Sequence, residues 1–325
     1  MPEILLCGAE GEQFLFENTL TTLGADDKRR GSVQLETGQQ MFRQFSGSYD
    51  DFWVHFRCTS TETYHSPHSG TLMEIRAGTQ VVARVYTLQV DNTNYASFRF
   101  DVFDGGQIVS GPDFPHALEE FINYDIRVQT TGSSRTVTFY RNEVLRHQVT
   151  YSGSFAEPNA VLFASRTNWV NEDDTRYQDI IITDALPTVG MELATLVPSA
   201  VGSYSDFSND YTAIDDAGYD QSTVISTTTP GDRESWFFSD PEFNLGDKVI
   251  YGVAITTVAQ TDLAGVISDF EPFLRIEGTN YPAAQIGANN VAPNAYTTVF
   301  TNNPATTNPW TQAELVGLES GLRAV

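Results

Sequence analysis

Between Phe52 and Asp184 the chain alternates apolar and polar residues repeatedly, and this period of two restricts it to antiparallel sheets with one buried face. Phe52, Val54, Phe56 and Cys58 alternate with Trp53, His55 and Arg57. The same rule runs through Leu72–Arg76, Val81–Tyr86 and Tyr95–Val102. Three further runs, Tyr124–Thr130, Arg135–Tyr140 and Leu145–Val149, are joined by Thr131-Gly132-Ser133-Ser134 and Arg141-Asn142-Glu143, so they read as a meander. The one helix-like interruption, His116–Phe121, reads as a single turn at the start of a strand.

With 325 residues the chain has room for two cores. Its 21 Phe, 14 Tyr and 24 Gly favour strands and turns. Pro187, Gly190, Pro198 and Gly202 interrupt the pattern between Asp184 and Ser208, so a boundary is expected there. Further strand-like runs occur at Ser222–Thr228, Ser235–Ser239, Lys248–Ala259, Phe273–Glu277 and Tyr296–Thr301.

The strongest helix signal comes last. Thr311 with Glu314 three positions on makes a capping box, and Trp310 with Leu315 makes a hydrophobic staple. Leu315, Leu318 and Leu322 continue one face to a stop at Gly321, which predicts a helix of about ten residues docked on a sheet. The expected fold is all-β: two tandem antiparallel, jelly-roll-like β-sandwich domains with one short C-terminal helix. Residues 1–187 form the first sandwich, 188–207 a linker and 208–325 the second sandwich.

Two resemblances sharpen this expectation. The meander with the later strand Tyr177–Asp184 resembles the concanavalin A-like sandwich of laminin-G and lectin-type domains. That fold serves lectins, glucanases and inert modules alike. Asp215-Asp216, Ser222–Ser226, Gly231–Phe237, Val249–Ile255 and the ending Asn303–Gly321 resemble modules of tailed-bacteriophage virion structural proteins. The second resemblance implies a non-enzymatic particle component, a surface-exposed tail or capsid-decorating subunit that assembles with itself and with other virion proteins. The alternative is a carbohydrate- or host-receptor-binding protein that uses the lectin-like first half.

Charge narrows the partners. Residues up to Thr195 carry 14 basic against 26 acidic side chains and the remainder 4 against 16, so each part has a net charge of −12. Such a field repels phosphate backbones and anionic lipid surfaces, which argues against nucleic acid and membranes as partners. Met1–Cys7 has no positive n-region and too short an apolar run for a signal peptide, so synthesis in a cytoplasm is expected, and the phage resemblance implies that the destination is the virion. Cys7 and Cys58 read as buried free thiols, with a bridge left open if their strands are neighbours.

Catalytic patterns are weak. A glucanase needs two acids at alternate positions on one strand face, but Glu119-Glu120, Asp173-Asp174 and Asp215-Asp216 are adjacent pairs. Asp232 and Glu234 alternate but come directly after a Pro-Gly turn at a loop edge. The five histidines are dispersed, with only His65 and His68 close together. No enzyme and no cofactor are therefore expected. Calcium is the one ion the loops would suit, through Asp91, Asn92 and Asn94 or through Asp173 and Asp174. Tyr64, His65 and Trp169 place aromatic and polar groups on loops, the combination that a glycan-contacting surface uses.

Overall fold

The computed structural model describes residues 3–8, 15–16, 21–23, 32–35, 38–60, 70–90, 95–117, 120–165, 175–214, 222–238, 248–261, 267–288 and 293–325. The chain is nearly all β and divides into two compact units, with the boundary between Glu192 and Leu193. Among the described residues no helix is long and apolar enough to cross a membrane.

The first unit is a sandwich of two antiparallel sheets. In one, Asp51–Ser60 lies between Ile122–Thr131 and Thr175–Asp184, and the meander continues through Ser134–Arg141 to a terminal strand, Val144–Ser152. The facing sheet runs from Gln107–Ser110 through Tyr95–Asp104, Gln80–Val90, Gly70–Ala77 and Ala160–Ala164 to Gln40–Gln44. The alternation is borne out: Phe52, Val54, Phe56 and Cys58 enter the core, as do Tyr124, Ile126 and Val128 from the neighbouring strand. Phe100 of one sheet stacks on Phe139 of the other with ring centroids 4.5 Å apart. Each such buried aromatic contributes about 1.5–3 kcal/mol. The Tyr177 hydroxyl is shared between the Leu72 and Ala164 carbonyls at 2.8 and 2.7 Å, which ties the two sheets across the core.

Two details differ from expectation. His116 and Ala117 are not a helical turn but the end of the strand Asp113–Ala117, paired with Ala96 and Tyr95. Cys7 pairs with Ile181 and Cys58 with Tyr177, on opposite sides of the same intervening strand. Both thiols are buried and no disulfide joins them, and burial pushes the Cys7 thiol up to about 12.

The second unit holds a six-stranded and a two-stranded antiparallel sheet. The stretch read as a linker contains the strand Pro198–Ser205, whose half-buried positions are Pro198, Gly202 and Tyr204 and whose Val201 is exposed, so it shows no regular hydrophobic alternation. Ser222–Thr228 is not a strand; among the described residues its strand-like pairing is the isolated Ser208–Ser226 bridge. Its side chains and backbone bond locally, as in Asn209 Nδ2 to the Val224 carbonyl at 2.8 Å and the Ser226 amide to Ser208 Oγ at 3.2 Å. Such bonds compete with a sheet ladder.

The C-terminal helix is a single turn, Gln312–Leu315. Its capping box is present, carried by Glu314, whose carboxylate accepts the Thr311 amide at 2.7 Å and the Thr311 hydroxyl at 2.8 Å. The staple also forms, since Trp310 is buried with Leu274 and Leu318 while Leu315 packs against them. Gly317, at φ +69°, ends the turn. Leu322 and Gly321 then belong to the strand Glu319–Ala324, which pairs on both sides, with Arg233–Phe238 and Asp269–Ile276. Gly321 is not a helix stop but a point of close approach, where a Cβ would overlap the Glu234 carbonyl and the Phe273 ring.

Glu319 explains how the neighbouring edge is held. Pro198–Ser205 loses register between Val201 and Ser205, and the displaced amides are taken up by side chains. Ser203 N–H donates to Glu319 Oε1 at 2.6 Å, and Tyr204 N–H donates to Ser235 Oγ at 3.0 Å. Asp232 takes the Thr227 hydroxyl, while Glu234, the second residue of the strand Arg233–Phe238, is buried and accepts the Phe207 amide at 3.1 Å. Burial raises the Glu234 carboxyl above the usual carboxylate range, with Asp206 and Asp210 adding to the effect against the Phe207 bond.

Gly321→Ala is expected to cost about 3 kcal/mol or to prevent folding of the second unit, as read by chemical denaturation. Because the folded state holds the Glu234 proton more tightly than the unfolded state, the stability from that group is complete below the unfolded value and is lost as pH rises through the folded one. Glu234→Gln should therefore raise the melting temperature at neutral pH, with the gain closing near pH ~4. An equal gain at both pH values would show that the carboxyl charge is not the cause.

Candidate ligand-binding face

The inward half of each strand in the first sheet is committed to the core, so the outward half is free to carry function. Register places Arg127 opposite Thr138 and Thr138 opposite Gln148, which makes one row across three strands. Gln129, Thr136 and Thr150 make the next row. Tyr140 lies one step further along, opposite Asp125. Thr136 and Thr150 hydroxyls are 2.9 Å apart, and Gln148 Nε2 donates to Thr138 Oγ1 at 3.1 Å.

Arg127 is fixed by a bidentate pair with Asp51, Nε to Oδ1 and Nη2 to Oδ2, both at 2.7 Å. Its guanidinium lies 5.1 Å from the Trp53 ring centroid, and Trp53 in turn stacks on Tyr140 at 6.2 Å and 21°. Planarity and charge delocalisation suit Arg to both contacts at once. The Asp51 hydrogen bond holds Arg127 above its ordinary pKa, and its side chain remains 30 % exposed. Trp53 itself is buried, so the exposed surface is made by Arg127, Tyr140, Thr136, Gln148 and Thr150.

Residues 185–191 cross this face and seal its centre. Ala185 N–H donates to the Asp51 carbonyl at 2.7 Å, and Thr188 Oγ1 donates to Asp125 Oδ1 at 2.8 Å. His55 Nδ1 bonds to the same Asp125 oxygen, also at 2.8 Å. All three side chains are almost wholly buried. The carboxylate lies between the imidazole and the hydroxyl, so the base does not reach the Thr188 proton as it does in a nucleophilic triad. This cluster fixes the crossing segment; beside it the rows present Arg127, Thr136, Tyr140, Gln148 and Thr150 for hydrogen bonding and stacking, with Thr138 buried beneath Gln148.

The loop candidates are not part of this face. Tyr64, His65, Trp169, Asp91, Asn92, Asn94, Asp173 and Asp174 lie outside the described residues, as do His68, Glu119, Asp215 and Asp216. Among the described residues no group of three or more His, Cys, Asp or Glu side chains is disposed to hold a metal ion. His147 bonds Ser110 Oγ through Nε2 at 2.7 Å, and burial lowers its pKa. The sequence signal for the outer rows is the polar half of the meander pattern, which by itself assigns strands and not a site.

No family model and no curated protein matches the chain. Among solved structures, it is similar to the botulinum neurotoxin type G receptor binding domain, at 9 % identity over 73 % of this chain and 72 % of that one, with a TM-score of 0.39. It is also similar to the CBM2 module of Lactobacillus casei BL23 phage J-1 evolved Dit, at 12 % identity, 56 % and 95 % coverage and a TM-score of 0.36. The alginate lyase from Klebsiella pneumoniae is similar at 10 % identity, 52 % and 85 % coverage and a TM-score of 0.38.

Thr188→Val keeps the volume and removes the bond to Asp125. Hydrogen exchange at the Met191 amide, which donates to the Thr188 carbonyl at 2.8 Å, should accelerate while exchange in Ile122–Thr131 stays unchanged. An unaltered Met191 rate would mean that the hydroxyl does not hold the segment.

Proposed function

We propose that the chain is a binding protein whose first unit engages a polyhydroxylated ligand, a host-surface glycan, on the outer face of strands Ile122–Thr131, Ser134–Arg141 and Val144–Ser152. The observation that carries this is the pair of cross-strand rows, Arg127–Thr138–Gln148 and Gln129–Thr136–Thr150, beside the half-exposed ring of Tyr140. Sugars present hydroxyls in a plane and an apolar C–H face. Hydroxyl, amide and guanidinium groups suit the first, and an aromatic ring suits the second. Anchoring of Arg127 by Asp51 and of Tyr140 by Trp53 lowers the ordering cost that binding would otherwise meet.

Sequence resemblance supports placing this binding protein on the outside of a tailed-phage particle, where it would assemble with copies of itself and with other virion proteins. Repetition on such a particle makes weak single contacts sufficient. The reading is one of recognition rather than catalysis, and it requires no cofactor.

The test is a glycan array probed with the full chain in the presence and absence of a calcium chelator. Selective binding is expected, insensitive to the chelator. Tyr140→Ala and Arg127→Ala should each weaken it by about tenfold or more. Silence across the array, or binding untouched by both substitutions, would contradict the proposal.

A further inference from the structure

The first unit has four exposed large aliphatic side chains among its described residues: Ile108 (52 %), Val109 (42 %), Val144 (50 %) and Leu145 (52 %). All four lie at one edge of the sandwich. Gln107–Ser110 ends one sheet and Val144–Ser152 ends the other, and the Ser110–His147 hydrogen bond at 2.7 Å holds the two edges side by side. Tyr151 also donates to the Phe103 carbonyl across the same edge, at 2.9 Å.

The Val144–Ser152 edge is long. It has nine residues, whereas the other terminal strands on the two sheet paths have four, three and two. Its outer side pairs with no other strand among the described residues, and it contains no Pro or Lys, two residues that proteins use to blunt such edges. A single bulge, opposite Phe139 and Tyr140, is its one irregularity. An edge of this length with an apolar rim is a template for another strand.

We propose that this edge pairs with the same edge of a second copy, antiparallel about a two-fold axis near Gln148. Charge selects the partner. The chain carries a net charge of −24, yet residues 144–153 contain no Asp or Glu, so two copies meet here without apposing carboxylates. The pairing is also self-complementary. Gln148 faces Gln148 of the other copy, where each amide both donates and accepts. Arg146 faces Thr150 and not a second Arg146. Val149 and Tyr151 pack towards the core along this strand, while Leu145, opposite Tyr140 beyond the bulge, adds an apolar group on the outer face. The Arg127–Thr138–Gln148 row would then run on into its symmetry mate, joining two outer faces into one.

Sedimentation of the full chain should show a dimer at protein concentrations of about 100 μM. Gln148→Glu, which places like charges on the axis, should weaken it about tenfold or more, while Thr150→Glu, which offers Arg146 a carboxylate, should strengthen it. Directly opposed strand residues have Cα atoms about 4.5–5.5 Å apart, within disulfide reach. Because Cys7 and Cys58 are buried, Gln148→Cys should give a covalent dimer with oxidised glutathione. Thr136→Cys, one strand inward, should not. A chain that remains monomeric and uncrosslinked overturns the proposal, as does a dimer indifferent to all of these substitutions. Glycan binding by a strictly monomeric chain would remove this inference and leave the glycan reading intact.

Discussion

The alternation along Asp51–Ser60 is the constraint on which the first unit depends. This strand is flanked on both sides, and its two faces have opposite tasks. Phe52, Val54, Phe56 and Cys58 fill the core, while Asp51, Trp53, His55 and Arg57 organise the outside. A slip of one residue would exchange the two sets, placing His55 and Arg57 among aromatic rings and phenylalanines in water. The register that buries the core is thus the same register that aligns Arg127, Thr138 and Gln148. Stability and the candidate site cannot be separated on this sheet.

The second unit solves a different problem. Its six-stranded sheet has few large apolar residues, and its central strand, Glu319–Ala324, begins with a buried carboxylate and has glycine at its middle. Close backbone approach at Gly321 and side-chain capture of displaced amides by Glu319 and Ser235 replace much of what hydrophobic burial does in the first unit. Buried polar groups of this kind are costly when any one partner is missing. This part of the molecule should therefore tolerate substitution poorly despite its modest core.

These two designs determine how much of the molecule is legible in its sequence. In the first unit, hydrophobic alternation is the physical cause of the fold, so the strands of the meander and Asp51–Ser60 could be read directly. In the second, Pro198–Ser205 and Glu319–Ala324 are strands because of what lies beside them, and their own residues carry no hydrophobic alternation. The capping box at Thr311 and Glu314 was legible because it is a local interaction. The length of its helix was not, because Gly317 ends the turn and strand pairing on both sides fixes Glu319–Ala324 as extended chain. The candidate face was half-visible. Its residues are the polar members of a pattern whose apolar members carry the fold signal, and their convergence depends on pairing between strands.

On the proposed reading, the outer rows of the first unit contact a glycan. A crystal structure of the full chain soaked with an oligosaccharide selected on the array tests it most directly. The expected result is a sugar ring seated against Tyr140, with hydroxyls bonded to Arg127, Thr136, Gln148 and Thr150. A sugar bound anywhere else on the molecule, with this face bare, would contradict it.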